Sequence, residues 1–194
     1  MTRKYDSSRR AASAARTQQA IVEAAVKLHA KGIITLAAVA DEAGVSLPTV
    51  NKYFPTREDL FAACTMHVAN NLTPPAPESL AAISDPAERI AQAVRQVYTL
   101  HETAFGHAWT GYKLEDESPV MAQAMANFEG IMDELAEPLL DDWHSETGDK
   151  ATMLGFVRAM LNPLTYRALR LKGGLDFDTA VNTMALALTQ MLTH

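Results

Sequence analysis

The stretch "DEAGVSLPTVNKYFPTREDL", Asp41 to Leu60, decides how the front of this 194-residue chain folds. Gly44 is a helix stop, and Ser46 is a good N-cap, a side-chain oxygen for the N–H groups that a first helical turn leaves over. Pro48 falls in that first turn, where its missing N–H would have had no helical partner. Just upstream, "TLAAVADEAG" predicts a short helix capped by Thr35 and ended by Gly44. Downstream, Thr56 and Asp59 have the spacing of a capping box, with Asp a shorter partner than Glu, and open a helix to about Asn71. In front, Ile21, Ala25 and Leu28 recur at helical spacing and predict a helix from about Ser13 to Lys31, with Gly32 as its stop. Val39, Ala40, Ala43, Val45, Val50 and Phe54 are the expected core of these short helices.

The composition is that of a globular protein, 48% hydrophobic, with few stretches of β-branched alternation. Apolar residues at three and four spacing dominate, which predicts an all-α protein. The formal net charge of -6 is unevenly placed. Residues 1–70 hold nine Lys/Arg against six Asp/Glu, and the remainder holds eight against seventeen. Only the front, at +3, suits a polyanion. Arg3, Lys4, Arg9, Arg10 and Arg16 face Asp6 alone there, and form either a basic arm or a solubilising tail. A single cysteine, Cys64, makes no internal disulfide and reads as a buried, inert thiol, with a redox sensor as its alternative role. No apolar run nears the ~18 residues of a membrane span, and no charged-then-apolar leader opens the chain, so the expectation is a cytoplasmic protein that does not enter a membrane.

"TPPAPES" breaks regular structure and places a domain boundary between 1–72 and 73–194. In the second part Asp85, Pro86 and Glu88 open a helix to about Thr103, and a short helix is expected around His107 to Leu114. A longer one starts at Ser118, with Met121, Met125, Phe128, Met132 and Leu135 on its apolar face, and runs toward Trp143 with a kink at Pro138. Leu154, Val157, Leu161, Leu164, Ala168 and Leu171 predict a helix bent at Pro163 and ended by Lys172 to Gly174. Val181, Met184, Leu188, Met191 and Leu192 form a last stripe, for about nine helices in total. The two final stripes fit either internal core or a pairing surface for a second subunit.

Catalytic patterns are weak. His101, Glu102 and His107, and "DDWH" at Asp141 to His144, lack the H-E-x-x-H spacing, and no CxxC, G-x-S-x-G or Walker loop occurs. No catalytic residue, metal ligand or cofactor is expected, and a small helical enzyme is the distant alternative.

A short helix, a Gly turn and a capped second helix follow the helix-turn-helix plan, in which the second helix lies in the DNA major groove. Residues 35–60, "TLAAVADEAGVSLPTVNKYFPTREDL", resemble the signature of the TetR family of transcriptional regulators. Pro48, Asn51 and Arg57 depart from its usual Gly, Tyr and Lys. The resemblance implies an N-terminal three-helix helix-turn-helix domain, a connecting fourth helix and a helical ligand-binding and dimerisation domain. It also implies that Leu47, Pro48, Asn51 and Lys52 face base edges, with Thr35, Thr49, Tyr53 and Arg57 near phosphates. Ser46, Arg9 and Arg10 complete the DNA-binding set. The chemistry agrees: Asn pairs with adenine, Lys donates to guanine, and apolar Leu47 and Pro48 suit a thymine methyl. Tyr53 has a core role as its alternative.

For the second domain the resemblance implies an effector pocket and a dimer interface in which the last two helices form a four-helix bundle with their mates. The candidate ligand residues are His101, Phe105, Trp109, Tyr112, Met125, Phe128, Trp143 and Phe156, with His107, Met121, Met160 and Tyr166 as further candidates. Such aromatic and Met-rich linings suit a small apolar or aromatic effector, although simple core is their alternative role. "HETAFGHAWTGY" at 101–112 concentrates them. Leu161, Leu164, Ala168, Val181, Met184 and Leu188 are the candidate dimer residues. The expected partners are a double-stranded palindromic operator, a second copy of the chain and an unidentified effector that relieves repression. A DNA-binding dimer that senses nothing is the alternative.

Overall fold

The computed structural model describes residues 3–141, 143–144 and 148–193, with side chains from residue 8 onward. Among them the chain is helical throughout: α1 Arg3–His29, α2 Leu36–Ala43, α3 Leu47–Tyr53, α4 Arg57–Asn70, α5 Pro77–Ala81, α6 Pro86–Leu114, α7 Pro119–Ala136, a 3-10 turn Glu137–Leu140, α8 Lys150–Leu161, α9 Pro163–Leu171 and α10 Phe177–Leu192. None of these helices is long and apolar enough to cross a membrane. The chain forms two compact units. The first joins residues up to Asn71 with Trp109–Ala122, and the second joins Leu72–Ala108 with residues from Gln123 onward.

In the first unit, α1 buries Ile21, Val22, Ala25 and Leu28 against Val39 and Ala40 of α2, Val50 of α3, Phe54, and Leu60 and Cys64 of α4. Each fully buried Leu, Ile, Val or Phe contributes about 1.5–3 kcal/mol relative to exposure. Ala43 and Val45 pack against this core half-buried. Gly44 ends α2 in the left-handed region at φ 66°, and Val45 N–H reaches back to Ala40 O at 3.0 Å, the double closure that a Gly permits. Thr35, Ser46 and Thr56 cap as their spacing predicts, and Thr56 with Asp59 forms the full capping box. One element differs. The helix expected from Ser13 begins at Arg3, because the Ala- and Arg-rich run contains no Gly or Pro to stop it.

The expected division at residue 72 is incomplete. Trp109–Ala122 joins the first unit for identifiable reasons. Thr110 donates to His29 O at 2.7 Å, covering a carbonyl in the last turn of α1. Ser118 donates to Glu58 Oε2 at 2.5 Å, and Leu114 and Met121 form a buried cluster with Phe61.

α6, most of which lies in the second unit, is one helix where two were expected, and it continues through Gly106. A short α5 appears within the Pro-rich boundary. Pro138 tightens the end of α7 into the 3-10 turn rather than kinking a longer helix. The bend expected at Pro163 is a full break: Asn162, held at ψ 144° as a residue before proline should be, separates α8 from α9. The carbonyls that α8 leaves over are capped from neighbouring side chains. Tyr98 donates to Met160 O at 3.1 Å, His101 Nε2 to Leu161 O at 2.7 Å, and Thr165 to Ala159 O at 2.6 Å. Asn162 then caps α9 by accepting from Leu164 N–H at 2.8 Å. After α9 only glycine fits at 173, where a Cβ would lie 2.8 Å from Leu169 O.

Candidate functional site

Seven residues of α3 divide sharply by register. Val50 is fully buried and Phe54 nearly so, which anchors one side of the helix. Leu47, Pro48, Asn51 and Lys52 occupy the opposite side, and all four are exposed. That surface offers an apolar pair, an amide with two donors and an acceptor, and a cation, a set able to read base edges. Thr35 and Ser46 are exposed and Thr49 half-buried, and each takes part in a helix cap. Ser46 Oγ also lies 2.8 Å from Thr49 Oγ1. Tyr53 is half-buried against the core, and the Lys52 ammonium sits 5.6 Å from its ring centre.

Arg57 begins α4 half-exposed, with its guanidinium 5.2 Å from the centre of the Phe61 ring and 3.6 Å from Glu58. The ring and the carboxylate hold the cation at the helix start, where the backbone N–H groups also favour anions. Glu58 was not singled out from the sequence; its link to Ser118 comes from residues sixty positions apart, which no local pattern reveals. Arg9, Arg10 and Arg16 lie exposed along α1, whereas the side chains of Arg3 and Lys4 fall outside the described ones. Lys27 and Glu42 form an ion pair between α1 and α2, and the Lys27 hydrogen bond holds the Glu42 carboxyl below its usual range. Cys64 is buried, and burial pushes its thiol up to about 12.

The eight ligand candidates fall in both compact units. Trp109 and Tyr112 belong to the first unit, and the other six to the second, so the segment 101–112 is divided after Ala108. Trp109 is exposed, and Met125 is half-buried. Phe105, Trp143 and Phe156, with Met160, pack half-buried on the core of the second unit. His101 and Phe128 are buried together with ring centres 5.7 Å apart. Tyr98 and Tyr166 complete an aromatic group around His101, at 6.0 and 5.9 Å. Tyr98 was missed, although its place three residues before His101 and seven before Phe105 puts all three on one helical face.

Tyr166 donates to Glu102 Oε2 at 2.5 Å, and Arg170 binds the same carboxylate oxygen at 2.7 Å. Burial, then the Glu102 carboxylate, raise the Tyr166 phenol above its ordinary range. Burial also drives His101 down to about 4, so its ring is neutral at pH 7. A hollow of about 170 Å³ lies elsewhere in this unit, lined by Pro86, Arg89, Ile90, Leu139, Leu192 and Thr193. None of the ligand candidates lines it. Among the described residues no three His, Cys, Asp or Glu side chains converge as metal ligands would; Asp142 of "DDWH" lies outside them.

The candidate dimer residues need correcting. Leu161, Val181, Met184 and Leu188 are buried within the protomer's own core and have no surface to offer a partner. Leu164 and Ala168 are exposed. The large apolar side chains that α9 and α10 do present are Leu164 at 42%, Leu171 at 55%, Leu186 at 60% and Met191 at 42% exposure. Each stripe is therefore split: Val157, Leu161, Val181, Met184, Leu188 and Leu192 serve the core, while Leu164, Leu171 and Met191 are exposed together with Leu186, which lies outside the stripes.

Residues 21–64 match the family model for bacterial regulatory proteins of the tetR family. Among curated proteins, none matches the sequence of this chain. Several solved structures are similar in fold. A transcriptional regulator from Rhodococcus sp. Rha1 is 17% identical, with 91% of this chain and 96% of that chain covered, at a TM-score of 0.65. NalD, the secondary repressor of the MexAB-OprM multidrug efflux pump in Pseudomonas aeruginosa, is 20% identical over 90% of this chain and 94% of that one, at 0.60. The TetR-like regulator LfrR from Mycobacterium smegmatis, solved in complex with proflavine, is 24% identical over 90% and 94%, at 0.55.

Proposed function

Because the chain belongs to the tetR family of bacterial regulatory proteins through its N-terminal helices, we propose that it is a repressor that binds a palindromic operator as a homodimer and is released by a small apolar or aromatic effector. The observation that carries the DNA-binding part is the face of α3, where Leu47, Pro48, Asn51 and Lys52 stand exposed above buried Val50 and Phe54. Asn51 and Lys52 would specify bases, while Thr35, Thr49, Tyr53 and Arg57 fix register on phosphates. The net charge of -6 is no obstacle, since counterion release depends on the local basic face, and the first 70 residues carry +3. Operator binding would place the protein in the cytoplasm.

Pairing is supported by the exposed leucines and methionine of α9 and α10. Two-fold pairing would set the two readers about one helical turn, ~34–36 Å, apart on DNA. The proflavine complex of the Mycobacterium smegmatis relative supports an effector, as does the aromatic group around His101. Because α6 is one uninterrupted helix with residues in both compact units, it is the element along which coupling would travel. Such coupling is reciprocal: the operator should weaken the effector by the factor by which the effector weakens the operator. A second reading, a DNA-binding dimer without an effector, is favoured by the tight packing of the second unit, where Tyr98, His101, Leu161 and Tyr166 are all essentially inaccessible.

The test is selection of bound sequences from a random duplex pool, followed by affinity against salt for the native chain, Asn51→Ala and Arg57→Ala. A palindromic site is expected. Asn51→Ala should relax preference at one position per half-site, and Arg57→Ala should weaken all sequences and reduce the salt slope by about 1 per site. No enriched sequence, with weak binding even at low salt, would refute the assignment.

A further inference from the structure

His101 is held in one tautomer by its surroundings. Its Nε2 lies 2.7 Å from Leu161 O, and a carbonyl only accepts, so Nε2 carries the proton. The neutral ring then presents a bare lone pair at Nδ1. That atom is sealed from solvent and has no hydrogen-bond partner in the protein. Tyr98, Phe128 and Tyr166 stand around the imidazole, with ring centres 5.7–6.0 Å from its own. The tyrosine hydroxyls are already committed, Tyr98 to Met160 O and Tyr166 to Glu102. An unpaired acceptor in an apolar setting is uncommon in folded proteins and calls for an occupant that donates.

We propose that His101 Nδ1 is the polar anchor of the effector site, and that the effector is a neutral aromatic or apolar molecule carrying a hydrogen-bond donor, a hydroxyl or an N–H. This rests on the effector-binding reading above and narrows its chemistry. The rings supply contact for an apolar body, and the lone pair supplies one directional requirement. A carboxylate meets it badly, because its oxygens only accept and would face the lone pair of a ring that burial keeps neutral. The carboxylate of Glu102, next along α6, adds no attraction for an anion, and its own partners Arg170 and Tyr166 are already bound to it. A hydrocarbon fills the space but leaves Nδ1 unpaired. Since the atom is sealed, occupancy requires flanking side chains to move aside.

The experiment uses the full chain labelled with ¹⁵N-histidine and matched compounds: phenol with toluene, 2-naphthol with 2-methylnaphthalene, and benzoate and 2-naphthoate as the anions. His101 is identified by the through-space contacts of its ring with those of Tyr98, Phe128 and Tyr166. In at least one pair the hydroxyl compound is expected to bind about tenfold or more tighter than its methyl counterpart and to shift the His101 Nδ1 resonance. His101→Phe should abolish that preference, while the native-chain resonance gives the answer even if this variant folds poorly. The proposal is overturned if no compound moves the resonance, if hydroxyl and methyl partners bind alike, or if the anions bind best. Operator release is measured with the same compounds. Release by any of them with an unmoved Nδ1 would leave the effector reading standing and remove this anchor, whereas no binding and no release would count against both.

Discussion

Replacing His101 by Phe should change how stability depends on pH, and the size of the change follows from the ring's surroundings. In the unfolded chain His101 titrates near 6.5; in the folded protein burial lowers it to about 4, against the partly opposing bond to Leu161 O. Between those values the unfolded chain binds a proton that the folded chain refuses, so the contribution is present above pH 6.5 and lost as pH falls toward 4. At 1.36 kcal/mol per unit the full loss is about 3 kcal/mol, of which about 2 kcal/mol has gone by pH 5. The titratable neighbours, Tyr98 and Tyr166, stay protonated throughout, burial raising both. At pH 7.5 the Phe variant should be less stable by about 1–3 kcal/mol, having left Leu161 O without a donor. On acidification the two stabilities should converge. Urea unfolding at fixed protein concentration, from pH 7.5 to 5, reads both curves. Parallel curves would refute the argument, since other titrating groups are common to both proteins and cancel.

Cys64 should resist thiol reagents at pH 8 in the folded protein and react on unfolding, because burial pushes its thiol up to about 12; rapid native labelling would contradict this. Leu186→Glu should leave the protomer folded, as that side chain is 60% exposed, yet shift a dimer toward monomer in sedimentation and weaken operator binding. An unchanged dimer would place the pairing surface elsewhere.

The front of the molecule was legible because its signals are local. A cap at Ser46, a stop at Gly44 and a box at Thr56 each act within four residues, and all three form as read. The start of α1 was misplaced because the hydrophobic periodicity begins at Ile21, whereas a helix continues through polar residues until something stops it. The second unit was legible in its helices and less so in its faces. Val181, Met184 and Leu188 share a stripe that looks the same whether it meets its own core or another subunit, and only the tertiary packing decides. Likewise nothing near Pro163 shows that Tyr98 and His101, some sixty residues away, cap the broken end of α8.

Ser118 makes two hydrogen bonds through one hydroxyl, which accepts from Met121 N–H at 3.2 Å to cap α7 and donates to Glu58 at 2.5 Å. Glu58 also lies 3.6 Å from Arg57, the arginine assigned to a phosphate. One carboxylate thus serves both the capping serine and the cation proposed to contact DNA. Ser118→Ala removes the cap and the donor together, which should cost about 1–2 kcal/mol of stability. It also leaves Glu58 with a free lone pair beside Arg57, so the carboxylate should hold the guanidinium more tightly and compete with DNA for it. Operator affinity should therefore fall several-fold with base preference unchanged, because Arg57 positions rather than reads. In a Glu58→Gln background the carboxylate charge is gone, and Ser118→Ala should then lower stability without lowering affinity further. Equal losses of affinity in both backgrounds would show that the serine acts through folding alone.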